Sequence, residues 1–147
     1  MGSGLLSGAL VLAALGTACS SSSSSVPPSD AAQVAVADAS ARLEGRWVLI
    51  EFQPDAPLEP MLATWLTSQM NQLQVSFHAG AMHIEGVGVS VDRNYRVTQA
   101  AADGFSLTVV DPTNVEYRST CAFQGNVVAF TSLSDPWRGH GRLQRLP

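Results

Sequence analysis

"LQVSFHAGAMHIEGV", residues 73–87, decides the reading of the fold. Leu73, Val75 and Phe77 alternate with Gln74, Ser76 and His78, and Met82 and Ile84 alternate with His83 and Glu85. Alternation with period two marks a strand with one buried face. Ala79-Gly80 supplies a tight turn between the two runs. That turn pairs Phe77 with Met82 and Val75 with Ile84, so the apolar sets meet on one face. Ser76 then meets His83, and Gln74 meets Glu85, on the other. A slip of one residue would turn every apolar side chain to the wrong face, so the pattern specifies its own register.

The same alternation continues outward from the hairpin. Strands are expected over "YRVTQ" (95–99), "FSLTVV" (105–110), "VEYRSTCAF" (115–123), "VVAFTSL" (127–133) and "GRLQRL" (141–146). Turn-forming runs lie between them: "DRN" (92–94), "ADG" (102–104), "DPTN" (111–114), "QGN" (124–126) and "SDPWRG" (134–139). "GVGVS" (86–90) reads as strand, and only approximates the Gly-x-Ser-x-Gly of a serine hydrolase. Upstream, "GRWVLIEF" (45–52) is largely apolar in both alternating sets, the pattern of a strand buried on both sides. Between it and the hairpin, Leu58, Met61, Leu62, Trp65, Leu66 and Met70 form one face of a helix. Pro57 and Pro60 confine that helix to a start near Leu58 or Glu59, and it ends near Asn71. Its opposite face is polar yet uncharged. The expected fold is mainly β, an antiparallel meander of about eight strands closing into a barrel or sandwich. One helix stands between the first two strands.

The amino-terminal region is of another kind. Residues 1–18 carry no charged side chain, and an apolar run from Leu5 to Leu15 is too short to span a bilayer. Gly16, Thr17 and Ala18 lead into Cys19, and Ser20–Ser25 follow at once. The stretch resembles the lipobox of bacterial lipoproteins, with Gly16 where that motif usually has leucine. The resemblance implies a signal peptide over 1–18, acylation of Cys19, and an envelope location. Ser20 after the cysteine, where an aspartate would retain the protein in the inner membrane, leans toward the outer membrane. Two acyl signals at one site are what a stable anchor requires. Residues 19–41 are read as the acylated cysteine and a flexible Ser/Ala/Pro-rich linker, with a short helix capped by Ser29 within it. The folded domain is read as 42–147, enough for one core.

Composition removes several chemistries. All eight basic residues are arginine, so Schiff-base chemistry on lysine and the phosphate-binding P-loop are excluded. The net charge of −4 and the lack of a basic stripe argue against nucleic acid. Cys121 alternates with Tyr117 and Phe123 and reads as a small buried hydrophobe. His78, His83 and Glu85 share the polar face of the hairpin, but no compact metal motif is formed and His140 is distant. No metal or cofactor is expected. In "PWRGHG" (136–141), Arg138 and His140 are anion-binding candidates, while Trp137 is either an exposed contact anchor or a cover for the open end of the core.

Gly45-Arg46-Trp47 on the first strand resembles the opening of the calycins, the lipocalin-like barrels. Many of them close with an arginine packed over the tryptophan, a part that Arg142 or Arg145 would take. The resemblance implies a small barrel that binds an apolar ligand, with Trp47, Tyr95, Phe105 and Tyr117 as candidate lining residues. The leading expectation is thus a membrane-anchored, non-enzymatic envelope lipoprotein with a lipocalin-like binding domain. The alternative is a protein-binding module: the Leu-x-Gly-x-Trp start from Leu43 to Trp47 resembles that of small periplasmic protease inhibitors, a resemblance that implies a protease or lysozyme inhibitor.

Overall fold

The computed structural model describes residues 29–147. Cys19 and the lipobox-like stretch lie outside the described residues. The strands are β1 (Gly45–Pro54), β2 (Gln74–His78), β3 (Ala81–Gly86), β4 (Val89–Ala100), β5 (Gly104–Val110), β6 (Glu116–Gln124), β7 (Val127–Ser132) and β8 (Gly139–Arg145). They follow one another in chain order round a closed antiparallel barrel, in which β8 returns to pair with β1. Helix α1 (Asp30–Leu43) precedes β1, and helix α2 (Pro60–Gln69) stands between β1 and β2.

The 73–87 hairpin forms in the expected register, with Phe77 opposite Met82 and Val75 opposite Ile84. Ala79 and Gly80 have φ of 47° and 83°, the two left-handed residues of a type I′ turn. That turn has the same twist as the strands it joins.

Three expectations about the strands are corrected. Asp92-Arg93-Asn94 is not a turn but the middle of β4, opposite His83, Met82 and Ala81. The turn comes earlier, at Val87-Gly88, where Gly88 has φ 68°. So Gly86–Ser90 is not a continuous strand either. Local turn preference is weak, and the chance to pair β3 along its whole length outweighs it. In β1, a bulge between Leu49 and Glu51 shifts the register. It brings Phe52 to the interior with Trp47 and Leu49, while Val48 and Ile50 stand half-buried on the other face. The strand is therefore apolar on both sides of its sequence but fully buried on only one.

Helix α1 moves the start of the folded part from residue 42 to Asp30. Ser29 Oγ accepts the Ala32 N–H at 3.3 Å, which caps the helix as expected, but the helix runs on for 14 residues. Alanine-rich sequence favours helix. Val36, Ala39 and Leu43, at i, i+3 and i+7, supply an apolar edge that closes one end of the barrel. Residues 30–41 are thus helix rather than flexible linker.

The interior layer is read directly from the register. Trp47, Leu49, Val75, Phe77, Met82, Tyr95, Val97, Phe105, Leu107, Cys121, Val128 and Leu143 are all buried. At the α1 end the packing centres on Trp47. Trp47 is fully buried and donates its indole N–H to Leu43 O at 2.8 Å. Arg145 covers its ring. A side chain at Gly45 (φ 118°) would come within 2.9 Å of Arg145 Nη1, which explains glycine at that position.

Candidate functional site

The opposite end, beneath α2, is not filled. A cavity of about 460 Å³ opens there, within the range of small-molecule pockets. Leu49, Val75, Met82, Ile84, Leu107 and Val128 are among its lining residues, and Leu43 of α1 lines it too. Trp65 and Leu66 of α2 lie over it, with Trp137 from the β7–β8 loop. The two tryptophans pack against each other, ring centres 5.4 Å apart, so Trp137 covers the core rather than standing free. Phe52 and Phe130 stack across the upper wall at 6.1 Å.

Helix α2 is held in place by a buried amide. Gln69 is fully buried; its Oε1 accepts the Val87 N–H and its Nε2 donates to Val87 O, each at 3.0 Å. That two-bond clamp ties the end of α2 to the β3–β4 turn. A side chain at Gly86 would overlap Gln69 Oε1 and approach Leu73 Cδ1 to 2.7 Å. The apolar face of α2 is narrower than expected. Leu62, Trp65 and Leu66 are half-buried, but Met61 is 83% exposed. A ten-residue helix lying across a mouth turns only one narrow stripe inward. Gln69 takes a place on that stripe that the hydrophobic pattern does not mark.

The four aromatic residues singled out in the sequence stand at inward register positions, yet other residues form the cavity wall. Trp47, Tyr95 and Phe105 pack toward the α1 end. Tyr95 meets Phe77 edge-on at 5.0 Å, and burial pushes its hydroxyl pKa up. Phe105 stacks on Phe123 at 4.9 Å, beside the Arg42 guanidinium. Tyr117 is half-buried, its hydroxyl 3.5 Å from Asp111 Oδ2. Cys121 faces inward and touches the cavity; burial pushes its thiol up to about 12, so it stays protonated.

The polar candidates are dispersed. His83 Nδ1 lies 2.7 Å from Asp92, while His78 lies 3.5 Å from Glu44, so each histidine has its own carboxylate. Among the described residues no group of three or more His, Cys, Asp or Glu is placed to hold a metal. His140 lies 3.0 Å from Thr131 Oγ1 and 3.7 Å from Asp55, on the outer barrel face. Arg138 pairs with Asp135 at 3.3 Å. Near the mouth, the Thr113 hydroxyl holds the Asp111 carboxyl below its usual range, and Arg96 and Arg118 do the same for Glu116. The charged residue of the cavity was missed altogether. Arg93, hidden in the expected turn, is the only charged side chain in the wall among the described residues.

Comparison of the chain with protein-family models, curated proteins and solved structures finds no match.

Proposed function

We propose that the protein is an envelope lipoprotein, anchored through acylated Cys19, whose barrel holds an apolar ligand without catalysing a reaction. The observation that carries the ligand reading is the apolar cavity of about 460 Å³ beneath α2. Its wall is mainly aliphatic and aromatic, and such a space gains free energy by taking up an apolar molecule. The lipobox-like stretch at Cys19 and the serine tract after it support the anchor, and Ser20 in place of a retaining aspartate leans the location toward the outer membrane. The test is titration of the purified chain with N-phenyl-1-naphthylamine, a neutral apolar probe that fluoresces when removed from water. Saturable binding of one probe per chain is expected. An unchanged emission across the titration overturns the ligand reading.

A second reading, a module that docks on an envelope protein, draws on one observation. Met61, Val87, Val115 and Leu133 are exposed large hydrophobics, and all four lie at the α2 end of the barrel. Chemical cross-linking from a cysteine placed at Val115 tests it: a single recurrent hydrolase partner in envelope extract supports the inhibitor reading, and no partner removes it.

A further inference from the structure

Arginine is usually placed where its five N–H donors find acceptors. Seven of the eight arginines here follow that rule. Arg42 pairs with Asp38, Arg96 and Arg118 with Glu116, Arg138 with Asp135 and Arg142 with Glu51. Arg46 donates to Gln74 Oε1, and Arg145 donates to the Glu44 and Arg42 carbonyls while covering Trp47. Arg93 differs. It faces inward on β4, between Val91 and Tyr95, and lines the apolar cavity half-buried. Among the described residues, the one hydrogen bond of its guanidinium is from Nη1 to the neighbouring Asp92 O at 2.8 Å. Among the described residues, no side chain lies within hydrogen-bond or ion-pair distance of its guanidinium.

The carboxylate across the ladder is already engaged. Asn94 pairs with Val110, so Asp111 lies one place beyond, next to Arg93 in the ladder. Asp111 Oδ1 accepts from Thr113 N, Thr113 Oγ1 and Val115 N, which turn it into the β5–β6 loop. Its Oδ2 faces the Tyr117 hydroxyl at 3.5 Å, and neither oxygen lies within ion-pair distance of Arg93, although the Arg93 charge helps hold the Asp111 pKa down. A guanidinium with free donors at the rim of a greasy cavity is the pattern of a site that receives an anion together with an apolar body.

On the reading of the cavity as a ligand site, we infer that the ligand is a single-chain amphiphile whose anionic head is held by Arg93 and whose tail fills the space beneath α2. Size agrees with one chain. At about 30 Å³ for each water-sized unit, 460 Å³ holds on the order of 15 of them. That is room for one medium-length acyl chain and too little for a two-chain phospholipid. A carboxylate and a phosphate share the chemistry that a guanidinium recognises.

The experiment is calorimetric titration with dodecanoate and dodecyl phosphate, each below its micelle concentration, and with dodecanol below its solubility limit, of the wild-type chain and of Arg93→Gln and Arg93→Lys. At least one of the two anions is expected to bind about tenfold or more tightly than the alcohol. Whichever anion binds more tightly identifies the head group. Arg93→Gln should bring the anion down to the affinity of the alcohol while leaving the alcohol unchanged, which also shows that the variant is folded. Arg93→Lys should keep part of the preference. Equal binding of alcohol and anions by the wild type, or a preference that survives in Arg93→Gln, overturns the inference and leaves the cavity reading standing. Failure of all three to bind overturns both.

Discussion

The Arg145 guanidinium lies 4.3 Å from the centre of the Trp47 ring, and the two residues are direct partners across β1 and β8. Those strands are the first and last of the meander, so this pair sits on the seam that closes the barrel. Arg145 also donates to Glu44 O at 2.9 Å and to Arg42 O, which ties the end of α1 to the same seam. Arg145→Met should cost about 2 kcal/mol, from lost charge-assisted hydrogen bonds and the ring contact together. Urea unfolding measures it, and hydrogen exchange should quicken first along β1 and β8.

Trp47→Phe removes one hydrogen bond from inside the same corner. The Leu43 carbonyl would lose its indole donor in a fully buried place. The expected loss is about 1–3 kcal/mol. A change near zero would mean that Leu43 O finds another donor and that the bond is not a stabilising part of the α1 closure.

Gln69 controls the lid. Gln69→Leu keeps the volume and removes both bonds to Val87. Stability should fall by about 2 kcal/mol, and hydrogen exchange in α2 should quicken. Stopped-flow binding of the neutral probe should become faster in both directions, because the helix that covers the mouth is released at one end.

Ser119 faces inward and lines the cavity. Ser119→Phe places a ring in the empty volume. Probe binding should be lost while thermal stability is held or raised, since new apolar surface is buried without displacing a neighbour. Probe binding that survives this change would place the ligand elsewhere.

Cys121 should resist alkylation in the folded state. Burial raises its thiol from 9.0 to about 12. The folded chain therefore holds this proton more tightly than the unfolded chain, and the group contributes full stability below about pH 9. That contribution falls as pH rises from about 9 toward about 12, by about 1.4 kcal/mol per pH unit. Iodoacetamide at pH 8 should label Cys121 only in step with global unfolding. Rapid labelling in buffer would mean that the barrel opens locally at β6.

The anchor is tested by intact mass. The membrane-associated chain should carry an acyl increment that disappears in Cys19→Ala, and the variant should appear in the soluble fraction. An unmodified Cys19 would remove the envelope argument.

Much of the barrel is legible along the chain because alternation is local. Phe77, Met82, Val75 and Ile84 declare both their face and their partners within a dozen residues. The helix cap at Ser29 and the tryptophan after Gly45 are similarly short-range signals. What the chain alone did not determine depends on strands far apart in sequence. Asp92-Arg93-Asn94 has turn composition, yet it is strand because β3 lies beside it; that pairing turns Arg93 into the cavity. Gln69 looks like one more polar helix residue until Val87 meets it from the next hairpin. The empty space itself has no sequence signature. A cavity is the difference between the volume that eight strands enclose and the volume that their inward side chains fill, and only closure of β1 on β8 sets the first of these.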